Sequence, residues 1–371
     1  MKCITVITVF LAFVFSYTLN AQTIKGVVYD AKTKEAIPGV VVYFDGTSIH
    51  TTTDKDGKFI LFVNQKLNTT LVFKHLSYES LIIKNPFEYP ETSFFLKEKM
   101  NILSEAVVVA SSFSGRPRAE KMELFKKVFL GESVAGSSCV ILNEDDIVLH
   151  YDETTEVLEG YSLVPIIIEN RRLAYRITYD LRSFSARFTN TMSLPNVKTN
   201  IITTTVPGMT FSYHGNSFFE DLSNYNVSIT NRRNDIYLSS RDFFWKNFVM
   251  GTLHETKFKI YNRSRQIRIE EYFTIIDLPH QKTVLINPGT NLNRRHADVH
   301  EGTIYGVLRI SYDNVSHSEI VFRTNRFSVD DKGNPNPLAD IVYFGDMSNQ
   351  RVGDMLPLDF VYSPTQISKR R

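Results

Sequence analysis

Two histidine spacings in this sequence suggest a metal site. His150-Tyr151-Asp152-Glu153 sets an imidazole and a carboxylate three residues apart, with His254, His280, His296 and His300 downstream. A hydrolytic zinc takes three protein ligands and keeps a fourth position for the water it activates, so His150, Glu153 and one distant histidine would suffice. His296-Ala297-Asp298-Val299-His300 is the second spacing, because imidazoles at i and i+4 share an ion when they sit on a helix. Each meets an elementary objection. "DIVLHYDE" (146–153) reads as a strand, on which His150 and Glu153 face opposite sides. His296 and His300 lie between Pro288-Gly289 and the strand-like "TIYGVLRI". Four extended residues hold side chains about 13 Å apart, too far for one ion. The expectation is therefore no metal and no cofactor. His150, Glu153, His296 and His300 are the metal candidates of the alternative, a zinc-dependent peptidase or other hydrolase.

"TTTDKDGKFIL" (51–61) opens like a calcium loop. With Gly57 at position 6 of such a loop, Asp54 and Asp56 fall at ligand positions, but Thr52 is first and Val63 stands where a bidentate Glu is required. The flanks are β-branched and aromatic. The reading is a hairpin turn, in which Gly57 supplies a positive φ and the Asp side chains bond nearby amides. Pro38-Gly39 reads as a second structural turn.

Other chemistry finds little support. "GESVAGSS" (131–138) approaches a nucleophile elbow but is out of register, and no glycine-rich phosphate loop occurs. Adjacent carboxylates such as Asp145-Asp146 and Glu270-Glu271 suit solvated strand ends. Cys139, in "SSCVILN", reads as a small buried hydrophobe. For recognition, aromatic and arginine side chains on a sheet face could hold a sugar or peptide, and Arg232, Arg233, Tyr237 and Trp245 are the candidates.

The chain has 371 residues and a formal charge of +2, which gives no support to nucleic-acid binding. Residues 1–21 read as a secretory signal: Lys2, an apolar run from Ile4 to Phe15, then a polar stretch to Ala21. Its removal takes away one charge, Lys2, and one of the two cysteines, Cys3. A lone Cys139 cannot staple the fold, so stability must come from apolar burial. No later run is apolar enough to span a bilayer as a helix.

Residues 22–100 form a dense series of short strands with turn signals every 8 to 12 residues or so, the rhythm of a small antiparallel sandwich. Gly26, Pro38-Gly39-Val40 and Thr53-x-x-x-Gly57-x-Phe59 in this segment resemble the carboxypeptidase regulatory-like domain. That resemblance implies a seven-stranded transthyretin-like sandwich, an accessory module in the peptidases for which it is named. It is equally similar to the N-terminal extension of Bacteroidetes outer-membrane receptors, and "LSEAVVVA" (103–110) resembles the segment closing that extension. Residues 110–119, "ASSFSGRPRA", have linker composition, and the linker is placed at 101–119.

Residues 120–371 are read as a larger, β-rich α+β domain with two helices. One carries Met122, Phe125, Val128 and Phe129 on one face, and the other spans 239–255. Strands are expected in "DIVLHYD", "VPIIIEN", "RLAYRITYDL", "TKFKIY", "RQIRIEEYFTII", "TIYGVLRISYD" and "EIVFRTNRFSV". From "FKKVFLGESVAGSSC" to "GDMLPLDFVYSP" this part resembles a group of secreted Bacteroidetes proteins without assigned activity. An outer-membrane barrel is excluded by too few barrel strands and by the intervening helices. The expectation is a mainly β, non-catalytic secreted protein of the cell envelope, in the periplasm or at the outer-membrane surface. Its expected partner is an envelope protein, a peptide or a glycan.

Overall fold

The computed structural model describes residues 22–63, 67, 69–89, 91–99, 116–188, 210–279, 281–296, 299, 302–337 and 340–364. The signal at 1–21, residues 101–115 of the linker with "LSEAVVVA", His280 and His300 lie outside the described residues. The fold is mainly β, as expected. The chain divides into two compact units, Met1–Val109 with Asn216–Glu220 and Pro357–Phe360, and Ala110–Gly215 with Asp221–Leu356 and Val361–Arg371.

The first unit is a sandwich of seven strands. β1 (Gln22–Asp30) lies between β4 (Lys58–Val63) and β7 (Ser93–Leu96) in one sheet. β2 (Val41–Phe44), β3 (His50–Thr52), β5 (Leu71–His75) and β6 (Tyr78–Ile83) form the other, in the order β3-β2-β5-β6. Period-two alternation decides which side chains face inward. In β4, Phe59, Leu61 and Val63 are buried while Ile60 and Phe62 face solvent. Phe59, Phe73 and Phe94 meet in the core, with Phe73 and Phe94 stacked at 4.5 Å.

The turn residues act on the backbone. Asp54 Oδ1 accepts from the amides of Asp56 and Lys58, both at 2.9 Å, so the turn itself uses that carboxylate. Asp56 lies 3.7 Å from Lys58 Nζ. Gly57 has φ +71, and a Cβ there would come within 2.7 Å of the Val28 carbonyl. Gly39, after exposed Pro38, also has positive φ and donates to the Thr53 carbonyl. Thr53 joins the two turns: its hydroxyl donates to Ile37 O at 2.8 Å and accepts from Val40 N at 2.9 Å.

Two later segments complete this unit, which the sequence alone does not reveal. Asp45 accepts from Ser217 N and Asn216 Nδ2, both at 2.8 Å, and Gly46 N donates to Ser217 O. Ser48 N donates to Asp359 Oδ1 at 2.8 Å. Phe218 packs on Tyr43 with ring centroids 4.8 Å apart.

The second unit carries three sheets and three helices among the described residues. A six-stranded sheet runs β8 (Cys139–Ile141), β11 (Ile166–Asn170), β12 (Tyr175–Arg187), β10 (Val157–Ser162), β9 (Ile147–Asp152), with β13 (Thr210–Asp221) also paired to β12. α1 (Arg118–Phe129) buries Met122, Phe125, Val128 and Phe129, the face expected. Phe125 meets Phe184, and Phe129 meets Tyr179, both edge to face.

A five-stranded sheet runs β15 (Arg265–Gln266), β14 (Phe258–Asn262), β18 (Gly306–Tyr312), β19 (Ser316–Phe322), β22 (Ile341–Gly345). A four-stranded sheet runs β16 (Phe273–Leu278), β17 (Gln281–Ile286), β20 (Arg326–Asp330), β21 (Pro335–Asn336). "RQIRIEEYFTII" thus splits into β15, a 3-10 turn at Ile269–Glu271 and β16, and "EIVFRTNRFSV" into β19 and β20.

The helix expected over 239–255 is two elements. α3 spans Arg241–Met250, capped by Ser240 Oγ and ended by Gly251 at φ +74; a 3-10 turn follows at Leu253–Glu255. A left-handed glycine after the last turn is the common way a helix stops. α2 (Val227–Leu238), capped by Asn226, was not expected. Its sequence, VSITNRRNDIYL, is rich in β-branched and polar residues of low helix propensity, and its buried residues are Arg233 and Asn234, so no apolar stripe announces it.

Candidate functional site

The sequence candidates fall in separate places. His150 is exposed on β9, opposite Glu159 of β10, in an open trough of about 600 Å³ that also includes Asp152 and Arg187. Glu153 lies past the strand end and pairs with Arg116 at 3.6 Å rather than lining that trough. The carboxyl of Asp152 is held below its usual range by the amides of Thr155 and Thr154. Among the described residues no group of three or more His, Cys, Asp or Glu could hold a metal ion.

The expected sheet face of Arg232, Arg233, Tyr237 and Trp245 is corrected, because these residues lie on α2 and α3. Trp245 is fully buried among Phe248, Phe322 and Phe327, and its indole N–H donates to Tyr343 Oη at 2.7 Å. Arg233 is buried as well. It forms two 2.8 Å bonds to Asp221, donates to the carbonyls of Leu173 and Ala174, and lies 3.7 Å above the Tyr175 ring. Tyr237 is half-buried against Phe243 and Tyr362. Arg232, also on α2, is half-buried. Their sequence neighbourhood brings arginine close to aromatic rings, but helical rather than strand spacing turns Arg233 and Trp245 inward.

The nucleophile candidates are also occupied or silent. Ser133 Oγ donates to Asp354 Oδ1 at 2.7 Å and accepts from Gly136 N at 2.9 Å. Burial pushes the Cys139 thiol up to about 12, far from the range of a reactive thiolate.

One sheet face does assemble a site. On β14, β18, β19 and β22 the core takes alternate residues such as Ile260, Leu308, Ile310 and Ile320, and intervening residues such as Tyr261, Arg309 and Glu319 lie on the other face. The register lines these up in two rows. Tyr261, Arg309, Glu319 and Phe344 oppose one another across four strands. Lys259, Ser311 and His317 form the next row. Directly opposed side chains start about 5 Å apart at Cβ, and the rows are separated by about 7 Å, two residues of strand rise.

His296, on the irregular segment preceding β18, closes one end. Its ring stacks on Phe344 with centroids 4.0 Å apart, its Nε2 lies 2.8 Å from Glu319 Oε2, and its side chain is only 6% exposed. Arg309 Nε donates to Glu319 Oε1 at 2.6 Å. Lys259 Nζ donates to Asn314 Oδ1 at 2.9 Å. The result is a groove of about 560 Å³, within the size range of small-molecule sites.

Its floor holds an anomaly. Ser311 is 5% exposed, lines the groove, and its Oγ has no hydrogen-bond partner. It is the one hydroxyl in that condition among the described residues. A buried hydroxyl without a partner costs about 1–3 kcal/mol, so such groups are few and call for an explanation. His317 is the cross-strand neighbour of Ser311 but is not bonded to it, so no serine–histidine dyad is formed. Of the sequence candidates only His296 lies here. The rest was visible as outward alternation in "FKIY", "GVLRISY" and "SHSEIVF", but pairing across strands is a property of register.

Residues 24–109 match the family model of the CarboxypepD_reg-like domain. The chain carries that domain in its first unit, as its motifs led one to expect. The groove lies entirely in the second unit, beyond the matched residues. No curated protein matches the chain. No described helix is long and apolar enough to cross a membrane.

Proposed function

We propose that this is a non-catalytic, secreted binding protein of the cell envelope, with the CarboxypepD_reg-like domain as accessory module and the groove on β14, β18, β19 and β22 as its recognition surface. The observation that carries this reading is the unpartnered Ser311 hydroxyl on the floor of a groove flanked by Arg309 and Tyr261. A hydrolase would need a nucleophile bonded to a base, or an assembled set of metal ligands. The groove offers donors and an aromatic ring instead, which suits binding. Secretion is supported by the composition of residues 1–21.

The test is electrophoresis of the purified protein through gels carrying envelope polysaccharide, beside the Tyr261→Ala/Arg309→Gln double variant. Retardation of the wild type that the double variant loses is the expected result. Equal mobility of both proteins in every gel would remove the groove as a recognition surface for envelope glycans.

A further inference from the structure

We infer that the groove takes a carboxylate-bearing sugar, a hexuronate in its simplest form; this rests on the groove being a recognition surface. Three features point to this class. The first is charge. Arg309 lines the groove, and both oxygens of its one lining carboxylate, Glu319, are taken by Arg309 Nε and His296 Nε2. Asp346 is engaged as well, accepting from the His317 amide. Arg309 gives only Nε to Glu319, its side chain is 59% exposed, and its two terminal amino groups are left for an incoming carboxylate. A guanidinium edge matches a carboxylate through two parallel N–H···O bonds.

The second feature is the ring. Tyr261 is half-buried, directly opposes Arg309, and enters no aromatic stack among the described residues. A pyranose is about as wide as the spacing between adjacent strands, roughly 5 Å. A sugar laid on Tyr261 would therefore bring a carboxylate carried at its edge to Arg309. The third is the hydroxyl. Ser311 lies two residues along β18 from Arg309, about 7 Å away along the strand. It can both donate and accept, as a ring hydroxyl of the sugar requires. Inorganic phosphate or acetate would use Arg309 without stacking on Tyr261, and a neutral hexose would leave the Arg309 fork without its anion.

The experiment is ligand-observed NMR on the purified full chain with D-glucuronate, D-glucose, acetate and inorganic phosphate, repeated on three variants. Glucuronate should bind saturably and glucose should not. Arg309→Gln should weaken glucuronate about tenfold or more, and Tyr261→Ala and Ser311→Ala about three- to tenfold each. Thermal unfolding of each variant checks that its fold is kept. Acetate or phosphate binding as tightly as glucuronate, with Tyr261→Ala silent, would overturn the sugar. Glucose binding as well as glucuronate, with Arg309→Gln silent, would overturn the acid and leave the recognition surface intact. Absence of binding by any probe would overturn the inference alone if the polysaccharide gels still distinguish the double variant.

Discussion

Thr53 in the first unit and Ser311 in the second are equally buried hydroxyls, each 5% exposed, on strand-rich scaffolds. Their bonding is opposite. Thr53 holds Ile37 O and Val40 N together, whereas Ser311 Oγ holds nothing. The first is a fastener that makes one turn geometry the stable one. The second carries the cost of burial without the bond, as a group kept for a ligand does. The outer sheet faces differ in the same way. Beyond β4-β1-β7 the outward residues include apolar Ile60, Phe62 and Phe95, whereas on β14, β18 and β19 Tyr261, Arg309, His317 and Glu319 border a groove. One unit uses its polar atoms to define the fold, and the other leaves some of them unused.

Five substitutions test that contrast. The largest effect is expected beneath the groove. Trp245→Ala removes a fully buried indole and the bond to Tyr343, the neighbour of Phe344 on β22, and should cost about 3–5 kcal/mol by denaturant unfolding. A loss below about 1 kcal/mol would mean that the groove is not supported from inside.

Arg233→Ala comes next. It leaves Asp221, two backbone carbonyls and the Tyr175 ring without their cation, at a cost of about 2–4 kcal/mol; half of Asp221 is exposed, which limits the figure. The hydrogen bonds from Arg233 hold the Asp221 carboxyl well below the usual carboxylate range. Its folded-state pKa is therefore depressed, so the pair contributes fully above the ordinary carboxylate pKa of about 4. That contribution is lost as pH falls from there through the folded value. Unfolding free energy measured from pH 6 downward should fall less steeply in Asp221→Asn than in the wild type. Identical slopes would show that Asp221 is not ion-paired in solution.

The last two are the direct comparison. Thr53→Val should destabilise by about 1–3 kcal/mol, because it removes a doubly bonded buried hydroxyl and leaves Val40 N without its acceptor. Ser311→Ala should change stability by no more than about 1 kcal/mol, in the stabilising direction if at all. Thermal unfolding of the two variants side by side decides it. A loss in Ser311→Ala as large as in Thr53→Val would make Ser311 a structural residue and remove the contrast.

Much of this was legible in the chain. Strand alternation in "KFILFV" marks the buried Phe59, Leu61 and Val63, and the Asp54–Gly57 turn follows from local chemistry that needs no distant partner. The apolar face of α1 was equally plain. α2 was not, because its buried face is Arg233 and Asn234, polar residues bonded to carbonyls far along the chain at Leu173, Ala174 and Ser363. Residues 216–220 and 357–360 join the first unit through bonds to Asp45, Gly46 and Ser48, and nothing local in their sequence marks that role.

The sequence by itself determined the β-rich class, the regulatory-like domain and the turns that shape it, since these rest on short-range periodicity and backbone preference. Only the tertiary structure decided that Trp245 and Arg233 are internal and that Tyr261, Arg309 and Ser311 share a groove with His296. The physical reason is that alternation tells which side of a strand a residue faces. Strand order and register decide which residues stand beside it there, and both are set by contacts between segments far apart in the chain.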